Sequence, residues 1–203
     1  MTPIDVFPDI IKQNYEIHEW KHACAILRED FPREFADVVR ILSAFRLCKS
    51  EIIVPGGSKS PTCMRLEELF RTCGWKEQAF TQKHIVDGRE RETKTHRLDC
   101  YKNRVAAEVE WNSKDSVFIR DLNNFRILFD LDIVSVGIIV TRCDELQQVF
   151  NELVDPKGDP IGRKYGDSTT HMGKLLPRLE SGGGGGCPIL AFGIRRSLYR
   201  PDL

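Results

Sequence analysis

The sequence predicts a mixed α/β fold, a mixed central β-sheet flanked by helices on both faces. Two observations carry this. The runs IVSVGIIVT and ILAFGIR are almost continuously apolar, as buried central strands are. Segments with a 3.6-residue apolar period precede and separate them. The 203 residues suffice for one sizeable core. They read as a single domain over 1–203, with an N-terminal helical part over 1–50 and a core over 52–195.

Taken in order, the first fifty residues read as helical. One helix carries Trp20, Ala23 and Leu27; a second follows Pro32, with Phe35, Val38, Val39, Leu42 and Phe45 on its inner face. EIIVPGGSKSPT reads as a short strand and a Gly/Ser/Lys loop. Pro61 to Arg71 is an amphipathic helix with Met64, Leu66, Leu69 and Phe70 inward, closed by Gly74. AFTQKHIV and RVAAEVEW favour strands, with DGRERETKTH a polar turn between them. A helix begins at Asp115 or Ser116 and turns Phe118, Leu122, Phe125 and Phe129 inward. The strand IVSVGIIVT, the helix DELQQVFNELV, a loop over 156–170 and a last strand from Ile189 complete the chain. SGGGGGCP, with its glycines at 182–186, reads as a flexible connector or as backbone lying against a partner.

Hydrophobic residues make up 41% and charged residues 30%, so the chain is globular rather than disordered. Thirty basic residues balance thirty acidic ones. Bulk charge therefore gives no support for nucleic-acid binding, although a local basic cleft is compatible with it. Seven cysteines at irregular spacing, with no CxxC, suit a reducing compartment. MTPIDVFPDI has neither the basic start nor the apolar core of a signal peptide, and no run reaches the roughly 18 apolar residues of a membrane span. A cytoplasmic location without membrane contact is expected.

The run HRLDCYKNRVAAEVEWNSKD carries the chemistry. On a strand, Val105, Ala107, Val109 and Trp111 share one face, and Glu108 and Glu110 project together from the other. Two neighbouring carboxylates repel unless a cation or proton offsets them. Asp99, on an adjacent strand, would complete an all-oxygen site suited to Mg²⁺, the chemistry of metal-dependent phosphodiester cleavage. The competing reading is a solvated strand face with Asp99 in a strand-end turn. GGSKS (56–60) lacks the spacing of a nucleotide-binding loop, and His84, His96 and Cys100 match no standard zinc spacing.

These residues resemble the catalytic core of the PD-(D/E)xK nucleases. GWKEQ (74–78), RLDCYKNRVAAEVEW (97–111) and DLNNFRILFDLDIVSVGIIVT (121–141) resemble more closely the BglII/BstYI group of type II restriction endonucleases. The resemblance spans Ile52 to Ile194. It implies a restriction-endonuclease-like core and a homodimer that cuts double-stranded DNA at a short palindrome with a GATC core, leaving 5′ overhangs. It implies Mg²⁺, with Mn²⁺ as a substitute, held by Asp99, Glu108 and the Val109 carbonyl. Glu110 stands where the superfamily usually has lysine, a departure with precedent in BamHI-like enzymes, and would orient or deprotonate the attacking water. Lys102, Arg104 and Lys114 are candidates for the missing positive charge. Glu77 matches a fourth active-site position, with Glu67 and Glu68 as competitors.

For DNA reading, the resemblance points to Asn112, Ser113, Lys114 and Asp115, which offer donors and acceptors to base edges but could equally cap the following helix. It also points to Asp167, Ser168 and Thr169, in a segment that composition alone reads as a solvated loop. Lys59 and Ser60 are candidates to grip a phosphate at a helix start. Two other readings stand beside the restriction enzyme. A structure-selective nuclease of the same superfamily would cut branched rather than linear DNA. A non-catalytic DNA-binding protein would bind without cutting.

Overall fold

The computed structural model describes residues 3–55 and 59–202. Gly56, Gly57 and Ser58 of the expected Gly/Ser/Lys loop lie outside the described residues. In chain order the elements are α1 (Asp9–Asn14), β1 (Tyr15–Trp20), α2 (Ala23–Asp30), α3 (Pro32–Ala44), β2 (Leu47–Cys48), α4 (Lys49–Ile52) and α5 (Pro61–Thr72). Then follow β3 (Lys76–Gln78), β4 (Thr81–Val86), β5 (Arg89–Lys94), β6 (Leu98–Lys102), β7 (Val105–Val109) and α6 (Val117–Asp130). The chain ends with β8 (Val136–Arg142), α7 (Leu146–Asn151), α8 (Met172–Glu180), β9 (Ile189–Ile194) and β10 (Tyr199–Arg200).

Six strands form the central sheet in the order β1-β9-β8-β7-β6-β3. β7, β8 and β9 run parallel in its middle; β1, β6 and β3 pair antiparallel at its edges. One face packs on α2, α3, α5 and α7 through Val38, Leu42, Leu66, Phe70 and Phe150 against Val105, Ala107, Val109 and Val140. The other packs on α6 and α8 through Phe118, Leu122, Phe125, Leu175 and Leu179 against Ala106, Ile139 and Ala191. Both faces are covered, so β8 and β9 are buried along their whole length, as their uniform apolarity requires. The predicted fold class therefore stands.

Several local expectations do not. Trp20 ends a strand rather than sitting in a helix, because Lys21 and His22 turn through the left-handed region (φ 54° and 58°) and the helix starts only at Ala23. The N-terminal part is thus not all helical: β1 is an edge strand of the sheet. Glu51 and Ile52 belong to a short helix, not a strand. Met64 is half exposed, although α5 does begin at Pro61 behind the Ser60 cap and does end before Gly74, whose φ is 84°. Within DGRERETKTH only Asp87 and Gly88 make the turn, both with positive φ, and Arg89–Lys94 is a strand paired with β4. The loop over 156–170 contains one 3₁₀ turn, Ile161–Arg163, and buries Tyr165. α8, one turn of it interrupted by Pro177, was not expected at all.

The glycine run is not a flexible connector. It packs against α6 and the end of α8. A Cβ on Gly183 would stand 2.7 Å from the Arg178 carbonyl oxygen, and one on Gly185 2.7 Å from the Arg126 side chain. Gly184 is buried against Ile189 and Leu122. These glycines let the chain turn within contact distance of a helix. A similar close approach occurs where α6 crosses β8: a Cβ on Gly137 would lie 2.5 Å from the buried Phe125 ring. Gly137→Ala is therefore expected to destabilise the protein by about 1–3 kcal/mol. Thermal unfolding checks this, and an unchanged midpoint would contradict the contact.

Candidate active site

The ladder between β6 and β7 ends at Cys100 opposite Ala107, beyond the two-residue turn of Asn103 and Arg104. One step further along, side chains replace main-chain pairing. Val109 N–H donates to Asp99 Oδ2 at 3.1 Å, and Asp99 N–H donates to Glu108 Oε2 at 3.3 Å. The strands part here, and the two carboxylates occupy the opening. Glu110 follows, its N–H donating to the Val140 carbonyl at 2.9 Å, so β8 still fixes its backbone. Glu108 and Glu110 are 1% and 6% exposed, which rules out a solvated strand face.

α6 brings a third buried carboxylate, Asp121, and its neighbour Arg120. Arg120 donates to Asp121 Oδ1 at 2.9 Å and to Glu110 Oε1 at 3.2 Å. Burial, with Asp121 and Asp99 adding like charge, holds the Glu108 carboxyl far above the usual carboxylate range. Burial and the Asp121 charge push Glu110 up to about 8, against the pull of Ser113 and Arg120. Burial raises Asp121 to about 6. Glu108 Oε1 and Asp121 Oδ2 are buried without a hydrogen-bond partner among the described residues. Together the three carboxylates form an acidic core that the single Arg120 guanidinium offsets only at Glu110 and Asp121.

A stability consequence follows for the metal-free protein. A carboxyl raised from 4.5 to about 8 keeps in the folded state a proton that the unfolded chain releases. Stability from Glu110 is therefore full below about pH 4.5 and falls as pH rises towards 8. Glu110→Gln removes this loss. In EDTA it is expected to be more stable than the parent at pH 8, by on the order of 4 kcal/mol, and not at pH 4.5. Parallel pH profiles of the two unfolding midpoints would contradict this.

Asp99 is only partly buried and faces two adjoining clefts. One, of about 440 Å³, is lined by Lys59, Ser60, Cys63, Asp99, Val109, Glu110, Asn112 and Ser113. The other adds Glu67 and Glu77 beside Asp99 and Lys59. Glu67 is buried on α5, and Lys59 Nζ stands 2.6 Å from its Oε1 and 3.8 Å from Asp99 Oδ1. Glu77 lines the cleft but is 55% exposed and pairs with Arg97 at 3.3 Å. The Val109 carbonyl receives the Cys63 thiol at 3.6 Å. Of the three cations considered from sequence, Lys102 and Arg104 are held by other partners, and Lys114 lies in the segment that adjoins the cleft. Lys102 donates to Asp37 and to the Cys73 carbonyl, Arg104 to Ser135, and Lys114 pairs through its backbone with Thr169.

Ser60 caps α5, its Oγ accepting from Cys63 N–H at 3.3 Å, so its hydroxyl is engaged in the helix start. The two candidate DNA-reading segments form one surface. Lys114 bridges Thr169; Asp115 N–H donates to the Ser168 carbonyl at 3.0 Å and Thr170 N–H to the Ser113 carbonyl at 2.9 Å. α6 starts without a side-chain cap from Ser116, and Asp115 pairs with Arg178 at 2.6 Å. Asp167 is exposed and pairs with Lys174 at 3.0 Å. Beneath them lies Arg142, 1% exposed, whose Nη2 donates to the Tyr165 carbonyl and to Thr169 Oγ1, both at 2.9 Å.

Sequence reasoning missed Asp121 and Arg120, and treated Lys59 only as a phosphate contact. A signal existed. Asp121 sits in the inward row Phe118, Leu122, Phe125, and Glu67 in the row Cys63, Leu66, Phe70. A carboxylate on the apolar side of an amphipathic helix needs a reason to be there.

Divalent-metal chemistry fits the donors in part. All are oxygens, as Mg²⁺ prefers, and Glu108 Oε1 is buried without a partner among the described residues. Among the described residues, however, no three His, Cys, Asp or Glu side chains are already gathered around a metal position. Nor is any described helix long and apolar enough to cross a membrane.

No curated protein matches the chain. The family model for restriction endonuclease BglII/BglIII matches residues 15–194. That span runs from the first residue of β1 to the last of β9, so it contains the whole central sheet and every carboxylate described above. The chain belongs to the BglII/BglIII restriction endonuclease family, nucleases that cleave DNA at specific sites.

Proposed function

We propose that the chain is a type II restriction endonuclease that hydrolyses double-stranded DNA at a short palindrome, with Mg²⁺ as cofactor and Mn²⁺ as substitute. The observation that carries this reading is the buried carboxylate core of Glu108, Glu110 and Asp121 opening at Asp99 beside the joined 112–115 and 167–170 segments. Asp99, Glu108 and the Val109 carbonyl would hold the metal. When bound, the metal polarises the scissile phosphate and lowers the pKa of a water.

The chain's own residues do the rest. Glu110, when ionised, would orient or deprotonate the attacking water. Arg120 orients the Glu110 carboxylate by its contact at 3.2 Å. The fourth carboxylate is assigned to Glu67 rather than to Glu77. Glu67 is buried and points at Lys59 beside Asp99, whereas Glu77 is solvated and paired with Arg97. Asn112, Ser113, Lys114, Asp115, Asp167, Ser168 and Thr169 face the bases or phosphates as one surface. By family resemblance the target has a GATC core. A palindrome is matched by two-fold symmetry, hence a homodimer with one centre per strand. The seven free cysteines suit action in the cytoplasm.

The test is digestion of unmethylated linear duplex and branched DNA by the purified chain, in Mg²⁺, Mn²⁺ or EDTA. Cleavage of linear duplex in either cation and none in EDTA is expected. Cutting of branched DNA alone would select a structure-selective nuclease, and binding without cutting a non-catalytic protein.

A further inference from the structure

The centre described above concentrates negative charge. Asp99 and Glu110 line one cleft and Asp99 and Glu67 the adjoining one, with Glu108 and Asp121 buried behind them, and the DNA that must approach is itself anionic. Two cationic side chains reach these carboxylates among the described residues, Arg120 and Lys59. Arg120 binds Glu110 and Asp121 from the α6 side, where both carboxylates already claim its guanidinium. Lys59 is placed differently. Its ammonium stands over Asp99 from the α5 side, lines both clefts, and remains 47% exposed. Only Glu67 holds it closely, and that carboxylate is buried and anchored on α5.

From this geometry we propose that Lys59 is a catalytic cation. Its ammonium, steered by Glu67, contacts the scissile phosphate beside Asp99 and stabilises the charge that develops there. This gives the centre the positive charge that β7, with Glu110 in line after Glu108, does not carry. It rests on the nuclease reading and deepens it. Lys59 then acts on rate rather than as one of many backbone contacts that raise affinity. An ammonium suits this role: it is a compact point charge on a flexible stem, able to leave Glu67 partly for a phosphate oxygen. Its start position is fixed because Lys59 immediately precedes the Ser60 cap and Pro61 at the first turn of α5.

The test compares the parent with Lys59→Ala, Lys59→Arg and Glu67→Gln as full chains. Four quantities are measured: thermal midpoint, DNA affinity in Ca²⁺ and in EDTA, single-turnover cleavage rate at saturating DNA in Mg²⁺, and KM. Lys59→Ala is expected to lower the single-turnover rate by about a hundredfold or more, with affinity and KM within about threefold and the midpoint retained. Lys59→Arg is expected to recover part of the rate. Glu67→Gln is expected to fall between Ala and Arg in rate. If Lys59→Ala instead weakens binding and leaves the saturated rate unchanged, Lys59 is an ordinary phosphate grip and the proposal is overturned. An unchanged rate and affinity overturns it too. A parent that cuts no DNA in Mg²⁺ or Mn²⁺ overturns the nuclease reading, a result distinct from the other two.

Discussion

Glu108→Gln is expected to lose at least about a thousandfold in cleavage rate while the protein remains folded and becomes no less stable in EDTA. The two halves of this expectation come from the same atoms. Glu108 Oε1 is buried with no partner among the described residues, and its carboxyl is held far above its ordinary range by burial and by Asp121 and Asp99. Such a group does not serve the fold, since a carboxylate buried there is destabilising whenever it is ionised. Glutamine keeps the volume and can still accept the Asp99 N–H bond made to Oε2. It cannot supply the charge a divalent cation needs. Cleavage assays and thermal unfolding in EDTA check both halves. A variant that cuts like the parent would remove Glu108 from the chemistry. One that is strongly destabilised would make it a structural residue instead.

Trp111→Ala is expected to destabilise the protein by about 3–5 kcal/mol and to abolish specific DNA binding at physiological temperature. Trp111 is 1% exposed and lies between Glu110 and the first of the segment residues, Asn112. Its ring meets Phe150 and Tyr165 edge-on, with centroids 6.1 and 6.0 Å away, and its Nε1 donates to Tyr165 Oη at 3.1 Å. Phe150 stacks on Tyr165 at 4.1 Å. The Tyr165 carbonyl in turn receives Arg142, which also binds Thr169. One aromatic cluster therefore anchors the exit of β7 and the 165–170 loop together. Removing its central ring leaves a cavity and frees the Tyr165 hydroxyl from one partner. Chemical denaturation, with DNA binding measured below the variant's own midpoint, separates lost stability from lost geometry. A loss under 1 kcal/mol would contradict the packing.

The elements most legible in the sequence were those whose burial is complete. β8 and β9 lie under helices on both faces, so their apolar runs have no other use. The carboxylates at 99, 108 and 110 were legible because a strand puts alternate residues on one face. What composition could not show is tertiary. β1 reads as polar (YEIHEW) because an edge strand is half solvated, and only its pairing with β9 makes it a strand. The charged strand β5 hides in the same way behind its Asp87–Gly88 turn. Five glycines look like a linker, yet α6 presses against four of them, Gly183 to Gly186. Asp121 arrives at the centre on α6, Glu67 on α5 and Lys59 from just before α5, each more than ten residues from the 99–110 run, and their convergence is a product of the fold.

The central claim is that this carboxylate centre and its adjoining surface cut DNA at one defined sequence. Sequencing the ends of the fragments that the purified chain makes from unmethylated DNA in Mg²⁺ tests it most directly. Discrete ends on both strands are expected, related by two-fold symmetry about a single short palindrome, and none with Glu108→Gln. Ends scattered without a shared sequence, or identical ends from the Glu108→Gln protein, would contradict it.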